Sequence, residues 1–280
     1  MVARTQQWLN FSSETLDRLY EAVDTDDIVD EHVELPSDVV QEGDESVLFS
    51  CYSLCLQFWE EGVSRVQLSK YADKLLAGEL LNEDEKRDYK KMRGCYKHLR
   101  FAVRLYSRNH RSFKLFNYTT YILGELQDAF RHQQADDIQR YGKRLKLLLS
   151  RPLWRLVQHR MRHVCLDTPQ GFHHYRQHRL GTFKKGSDKS EVSGHEFHDM
   201  RKIIGQQVSY YDTLRSIDPD NINAYKMSRF LSAINGLMGD RHDEMVEDAM
   251  NNTRPYGSPE VISSDTRWRI DAFLEHFLKP

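Results

Sequence analysis

Eight cations follow one another at steps of three or four residues: Lys86, Lys90, Arg93, Lys97, Arg100, Arg104, Arg108 and Arg111. At about 100° per residue, all eight fall within about 40° of one line on a helix surface. No acidic residue interrupts that line. Like charges at this spacing cost a few tenths of a kcal/mol per pair, so the line costs a free helix roughly 1–3 kcal/mol. An anion laid along it offsets that cost. The chemistry these residues imply is electrostatic capture of a polyanion. Arg155, Arg162, Arg176, Arg179, Lys184, Lys185, His198, Arg201 and Lys202 extend the candidate set further along the chain.

Aromatic residues interleave with this charge, most densely in GFHHYRQHRLGTFKK (171–185). Single-stranded nucleic acid is held by cations along its backbone and aromatic platforms under its bases. Phe172, Tyr175 and Phe183 are therefore candidate base-stacking residues. No helix-turn-helix, RNP, KH or zinc-finger signature appears, which argues against base-specific readout of a duplex. His159 and His163 lie four apart near Cys165, a spacing that can hold zinc. Arg155, Arg160 and Arg162 surround them and oppose a dication, so no metal is expected. The sequence has no P-loop, Gly-x-Ser-x-Gly, HExxH or Rossmann fingerprint, so no catalytic residue and no cofactor is expected.

The net charge of −2 conceals a segregation. Residues 1–62 hold 2 basic and 15 acidic residues, whereas 86–190 hold 25 basic and 7 acidic, a net +18. That is the footprint of a polyanion-binding face. The acidic N-terminal stretch could lie on that face in the same molecule or in another, which would give autoinhibition or self-association. No run of about 18 apolar residues exists, so no membrane span is expected. The N-terminus lacks an apolar signal region, and the four cysteines are scattered as in reduced, cytoplasmic proteins.

The elements that must position these residues read as helices. Residues 1–46 read as an acidic arm, partly disordered, with at best a short amphipathic helix before residue 24. Residues 47–164 read as a helical region carrying the basic face. Asn82 and Glu85 form a capping-box start for the basic helix. Tyr89, Met92, Tyr96, Leu99, Val103 and Tyr106 give it a core-facing stripe. Residues 165–194, with four glycines and a proline, read as a basic His-rich loop. Residues 195–280 read as a second helical region, with helices near 195–216, 219–237, 240–251 and 259–278. Pro219 and Pro259 open the second and the last of these. With no period-2 strand pattern, the fold class is all-α.

An internal echo joins the halves. HLRFAVRLYS and YILGELQDAF (98–107, 121–130) match FHDMRKIIGQQVSYYDTL and INGLMGDRHDEMVEDAM (197–214, 234–250), pairing Arg100 with Arg201, Gly124 with Gly239 and Asp128 with Asp243. The pattern resembles the CHAD family, the conserved histidine α-helical domain. His198-x-x-Arg201 resembles that family's repeat opening, and Leu123-Gly124-x-x-x-Asp128 and Met238-Gly239-x-x-x-Asp243 resemble its turn. The resemblance covers about 90–280 and implies two helical repeats. It also implies inorganic polyphosphate binding through Arg100, Arg104, Arg108, His198, Arg201 and Lys202. Where the family continues its second opening with Arg and Lys, this chain has the neutral Gly205–Tyr211.

The sequence thus predicts a non-enzymatic polyanion-binding protein with RNA, single-stranded, as its first ligand. Inorganic polyphosphate is the alternative, and an adaptor role towards an acidic protein partner is the second alternative.

Overall fold

The Asn82 side chain accepts a hydrogen bond from the Glu85 N–H at 2.9 Å, and the Glu85 carboxylate accepts one from the Asn82 N–H at 2.8 Å. This reciprocal cap starts the basic helix where the sequence places it. The computed structural model describes residues 7–30, 32–36 and 43–277. Among them the chain is all-α, with eleven helices: α1 (Ser13–Asp24), α2 (Glu45–Gly62), α3 (Arg65–Leu76), α4 (Glu83–Tyr106), α5 (Lys114–Arg131), α6 (Ala135–Leu148), α7 (Arg151–Arg162), α8 (Pro169–Ser187), α9 (Gly194–Ile217), α10 (Ile222–Met250) and α11 (Ser264–Phe277). Extended pairing among these residues is limited to two isolated bridges, Ser107 with Leu166 and Val192 with Glu260. No helix among the described residues is long and apolar enough to cross a membrane. The described residues of Met1–Leu16 and Phe49–Asp167 form one compact unit, and those of Asp17–Leu48 and Thr168–Pro280 a second.

In the first unit, α4 buries the whole expected stripe from Tyr89 to Tyr106. Trp59 of α2 sits fully buried beside it, with ring centroids 5.7 Å from Tyr96, 5.6 Å from Phe116 and 5.3 Å from Trp154. Helix α5 packs on α4 and α6, and α6 packs on α3. Trp8 stacks on Phe49 at 5.3 Å and donates from Nε1 to the Arg162 carbonyl at 2.9 Å.

The second unit is built on the α9–α10 pair, with α8 against α9 and α11 against α10 and α8. Four expectations need correction here. Residues 169–187 are helix α8, not part of a loop. Thr168 caps it by accepting from the Gly171 N–H, and Pro169 fills a first-turn position that needs no donor. Phe172, Arg176, Leu180 and Phe183, spaced by four, four and three, bury one face of it. Helix α10 runs unbroken through 238–239 and opens after Asn221, its cap, rather than at Pro219. The last helix opens at Ser264, because Glu260 is drawn into the bridge to Val192.

The acidic arm is the fourth correction, so far as residues 7–30, 32–36 and 43–46 carry it; the rest of it lies outside the described residues. Beyond helix α1, its main chain docks on α10 and α11. The Thr25 carbonyl accepts from Arg229 at 3.0 Å, the Asp26 carbonyl from Asn235 at 2.8 Å and the Asp30 carbonyl from Arg269 at 3.5 Å. At Gly236 any Cβ would collide with the Asp27 carbonyl, so only glycine lets the two backbones approach this closely.

Candidate polyanion interface

Six of the eight cations in the line stand on α4, and their surroundings change along it. Lys86 and Lys90 are exposed, whereas Arg93, Lys97, Arg100 and Arg104 are half-buried. Lys86 pairs with Glu83 at 2.8 Å on the open surface, where such a pair contributes little. Arg93 donates to the Gln127 side chain at 3.3 Å and lies over Gly124 of α5. The Arg100 guanidinium stands 5.4 Å from the Phe101 ring centroid, and its Nε is buried without an acceptor. Burial first, then the charges of Arg104 and Arg93, pull Arg100 down to about 10. It remains a cation at neutral pH, crowded by two others.

The line stops short of the expected length. The chain leaves the helix at Tyr106 because Ser107 pairs with Leu166 and the Arg108 N–H donates to the Cys165 carbonyl at 2.9 Å. Arg108 and Arg111 are exposed but no longer on the α4 surface. On α7, Arg155 is exposed, while Arg162 is already engaged by Glu60 at 2.6 Å.

On α8 the structure corrects the base-stacking role expected of two phenylalanines and the surface position expected of Arg176. Phe172 and Phe183 are fully buried and cannot receive a base. Tyr175 is half-buried, its hydroxyl donating to Gln206 at 3.3 Å. Arg176 is 1% exposed. It gives Nε and a terminal nitrogen to the Gln207 oxygen at 3.0 and 2.8 Å, and its guanidinium lies 4.2 Å from the Tyr210 ring centroid. An amide oxygen and ring faces thus hold this cation in the core, where no polymer reaches it. Arg179 is half-buried, Lys184 pairs with Asp188 at 3.0 Å, and Lys185 is exposed. The neutral run 205–211 is explained by the same packing, since it is the buried face that receives Arg176.

On α9, Arg201 lies over Gly239, where a Cβ would come within 2.6 Å of its guanidinium. Lys202 pairs with Asp199 at 3.0 Å. His198 stacks on His242 with ring centroids 4.7 Å apart, and burial followed by the Lys202 charge lowers His198 to about 4. His242, which sequence reasoning passed over, is further fixed by Tyr256, whose hydroxyl lies 2.9 Å from its Nε2. The residue over Gly124 is Arg93 and not Arg100, so the geometric counterpart of His198-Asp199-Met200-Arg201 is Lys90-Lys91-Met92-Arg93. The shared Met-Arg pair was the available signal. Among the described residues no three His, Cys, Asp or Glu side chains gather as metal ligands.

No protein-family model, no curated protein and no solved structure matches this chain.

Proposed function

We propose that this protein binds a linear polyanion, single-stranded RNA in the first place, without catalysing a reaction on it. The observation that carries the reading is Arg100. It is a half-buried cation on which Arg104 and Arg93 act as further positive charges, and its Nε has no acceptor. Burying charge without an opposite partner is costly. A phosphate chain along α4 supplies the missing opposite charge. The spacing of Lys90, Arg93, Lys97, Arg100 and Arg104 offers a contact every three or four residues, about 5 Å along the helix. Polyphosphate is the second reading. It is favoured by the burial of Phe172 and Phe183, which removes two of three candidate stacking residues, and by the resemblance to CHAD domains.

The test is fluorescence anisotropy with labelled single-stranded RNA over a salt series. Six phosphate contacts on α4 predict log K falling with log salt at a slope of about −4. Replacing Arg93, Arg100 and Arg104 by Gln should reduce that slope by about 2 while circular dichroism shows the fold intact. If neither RNA nor polyphosphate binds at low salt, the reading is wrong and the face belongs to an acidic protein.

A further inference from the structure

At the open end of the α4 line lies a cleft of about 410 Å³, between the first turns of α4, the last turn of α5 and the residues just before α4. Its volume is in the range of small-molecule sites. Lys86 and Lys90 of the cationic line form part of its wall, joined by Arg87 and by Arg131 from α5. Glu83 stands at the rim, exposed and held by Lys86. Three apolar side chains form another part of the wall. Leu81 and Phe130 are buried, and Leu80 is 65% exposed. Two amides complete the lining. Gln127 gives its oxygen to Arg93, which leaves its N–H groups as donors. Gln133 holds a left-handed φ of 55°, a conformation that glycine adopts more readily.

A polymer of phosphate alone offers nothing to Leu80, Leu81 or Phe130. A nucleotide offers both parts, a flat apolar base with polar edges and a phosphate on each side. We propose that this cleft is a nucleobase seat. A base packs against Leu80, Leu81 and Phe130, the amides of Gln127 and Gln133 meet its edge, and its flanking phosphates run onto Lys86, Lys90 and the α4 line. The inference rests on the polyanion reading above and makes the polymer a nucleic acid. It moves base recognition from the α8 aromatics to the α4–α5 cleft.

The test is competition on the full chain against a labelled short oligoadenylate. Three unlabelled competitors of matched charge are used: the same RNA, an abasic chain and inorganic polyphosphate. The RNA should compete about tenfold better than the other two, the worth of one seated base. Leu80 is exposed, so its variants keep the fold. Leu80→Ser should erase much of the RNA preference, and Leu80→Trp should raise it, with abasic binding unmoved by either. Equal competition by all three chains overturns the base seat while leaving the polyanion reading standing. An RNA preference that both Leu80 variants leave unchanged overturns this location. Failure of every polymer to bind overturns both readings.

Discussion

Arg100→Met should make the free protein more stable and the binding protein weaker. In the folded chain, burial and the neighbouring charges of Arg104 and Arg93 lower Arg100 from 12.5 to about 10. That difference corresponds to about 3 kcal/mol of folding free energy. A base with a depressed folded value destabilises the fold at every pH below about 10, and the penalty fades only as pH rises from there through 12.5. It is therefore constant across the neutral range. Methionine keeps the aliphatic packing and loses the contact with the Phe101 ring, worth about 0.5–1 kcal/mol. The net expectation is a gain of about 2 kcal/mol, or about 4–8 °C in Tm for a chain of this size. Binding should move the other way, because a charge-assisted hydrogen bond to phosphate contributes about 1.5–3 kcal/mol. RNA affinity should fall about tenfold or more, and the salt slope should shrink by about 0.7. Thermal melts with and without RNA, paired with anisotropy, read both halves. A variant that melts lower than the parent would show that the guanidinium holds the fold together. A variant that melts higher but binds RNA with unchanged affinity and slope would show that Arg100 faces no phosphate.

Three further outcomes follow from the packing. Asp212 is buried, accepts from Ser228 at 2.6 Å and leaves Oδ2 without a partner; burial raises it from 3.8 to about 7. Its folded form holds the proton more tightly than the unfolded chain, so its contribution to stability falls as pH rises from about 4 to about 7. Asp212→Asn should stabilise the protein by a few kcal/mol at pH 8 and little at pH 4, as urea unfolding at the two pH values would record. Gly124→Ala and Gly239→Ala should part company, because the new Cβ meets Arg93 at 3.5 Å in the first and Arg201 at 2.6 Å in the second. The first should raise Tm slightly through helix propensity, about 1 kcal/mol, and the second should gain less, because the Arg201 guanidinium must move aside. Phe183→Ala should cost about 3–5 kcal/mol in chemical denaturation while the folded fraction binds RNA as before, since its ring is core and not platform.

Helix α4 was legible in the sequence because every local signal agreed: a capping box, an apolar stripe at helical spacing and a polar line beside it. Its end was not. The three- and four-residue spacing continues through Arg108 and Arg111, and the chain departs at Ser107 only because Leu166, distant in sequence, pairs with it. Composition misled most in the acidic arm. Its carboxylates suggested a loose, solvated segment, but it is held through carbonyls of Thr25, Asp26 and Asp30, groups that every residue carries. The break expected at 238–239 is absent, and Gly236 and Gly239 are the points where α10 admits a carbonyl and a guanidinium.

Helix α8 shows why the aromatic signal pointed to the wrong place. Phe172, Arg176, Leu180 and Phe183 have core spacing in the sequence itself, and arginine at the second position disguises it. An arginine is read as surface because burying it usually requires a carboxylate. Here Gln207 and the rings of Tyr210 and Tyr211 take that role, and they lie more than thirty residues away in the chain. Once Arg176 is counted as core, the two phenylalanines follow it inward and the net positive charge of this segment loses one of its members. Arg100 differs from Arg176 in this respect: its buried Nε faces no acceptor, and the charges that act on it most strongly are those of Arg104 and Arg93. A buried arginine with a built-in acceptor belongs to the fold. Whether such an acceptor exists rests on the second helix that packs against the arginine, which sequence spacing alone does not supply.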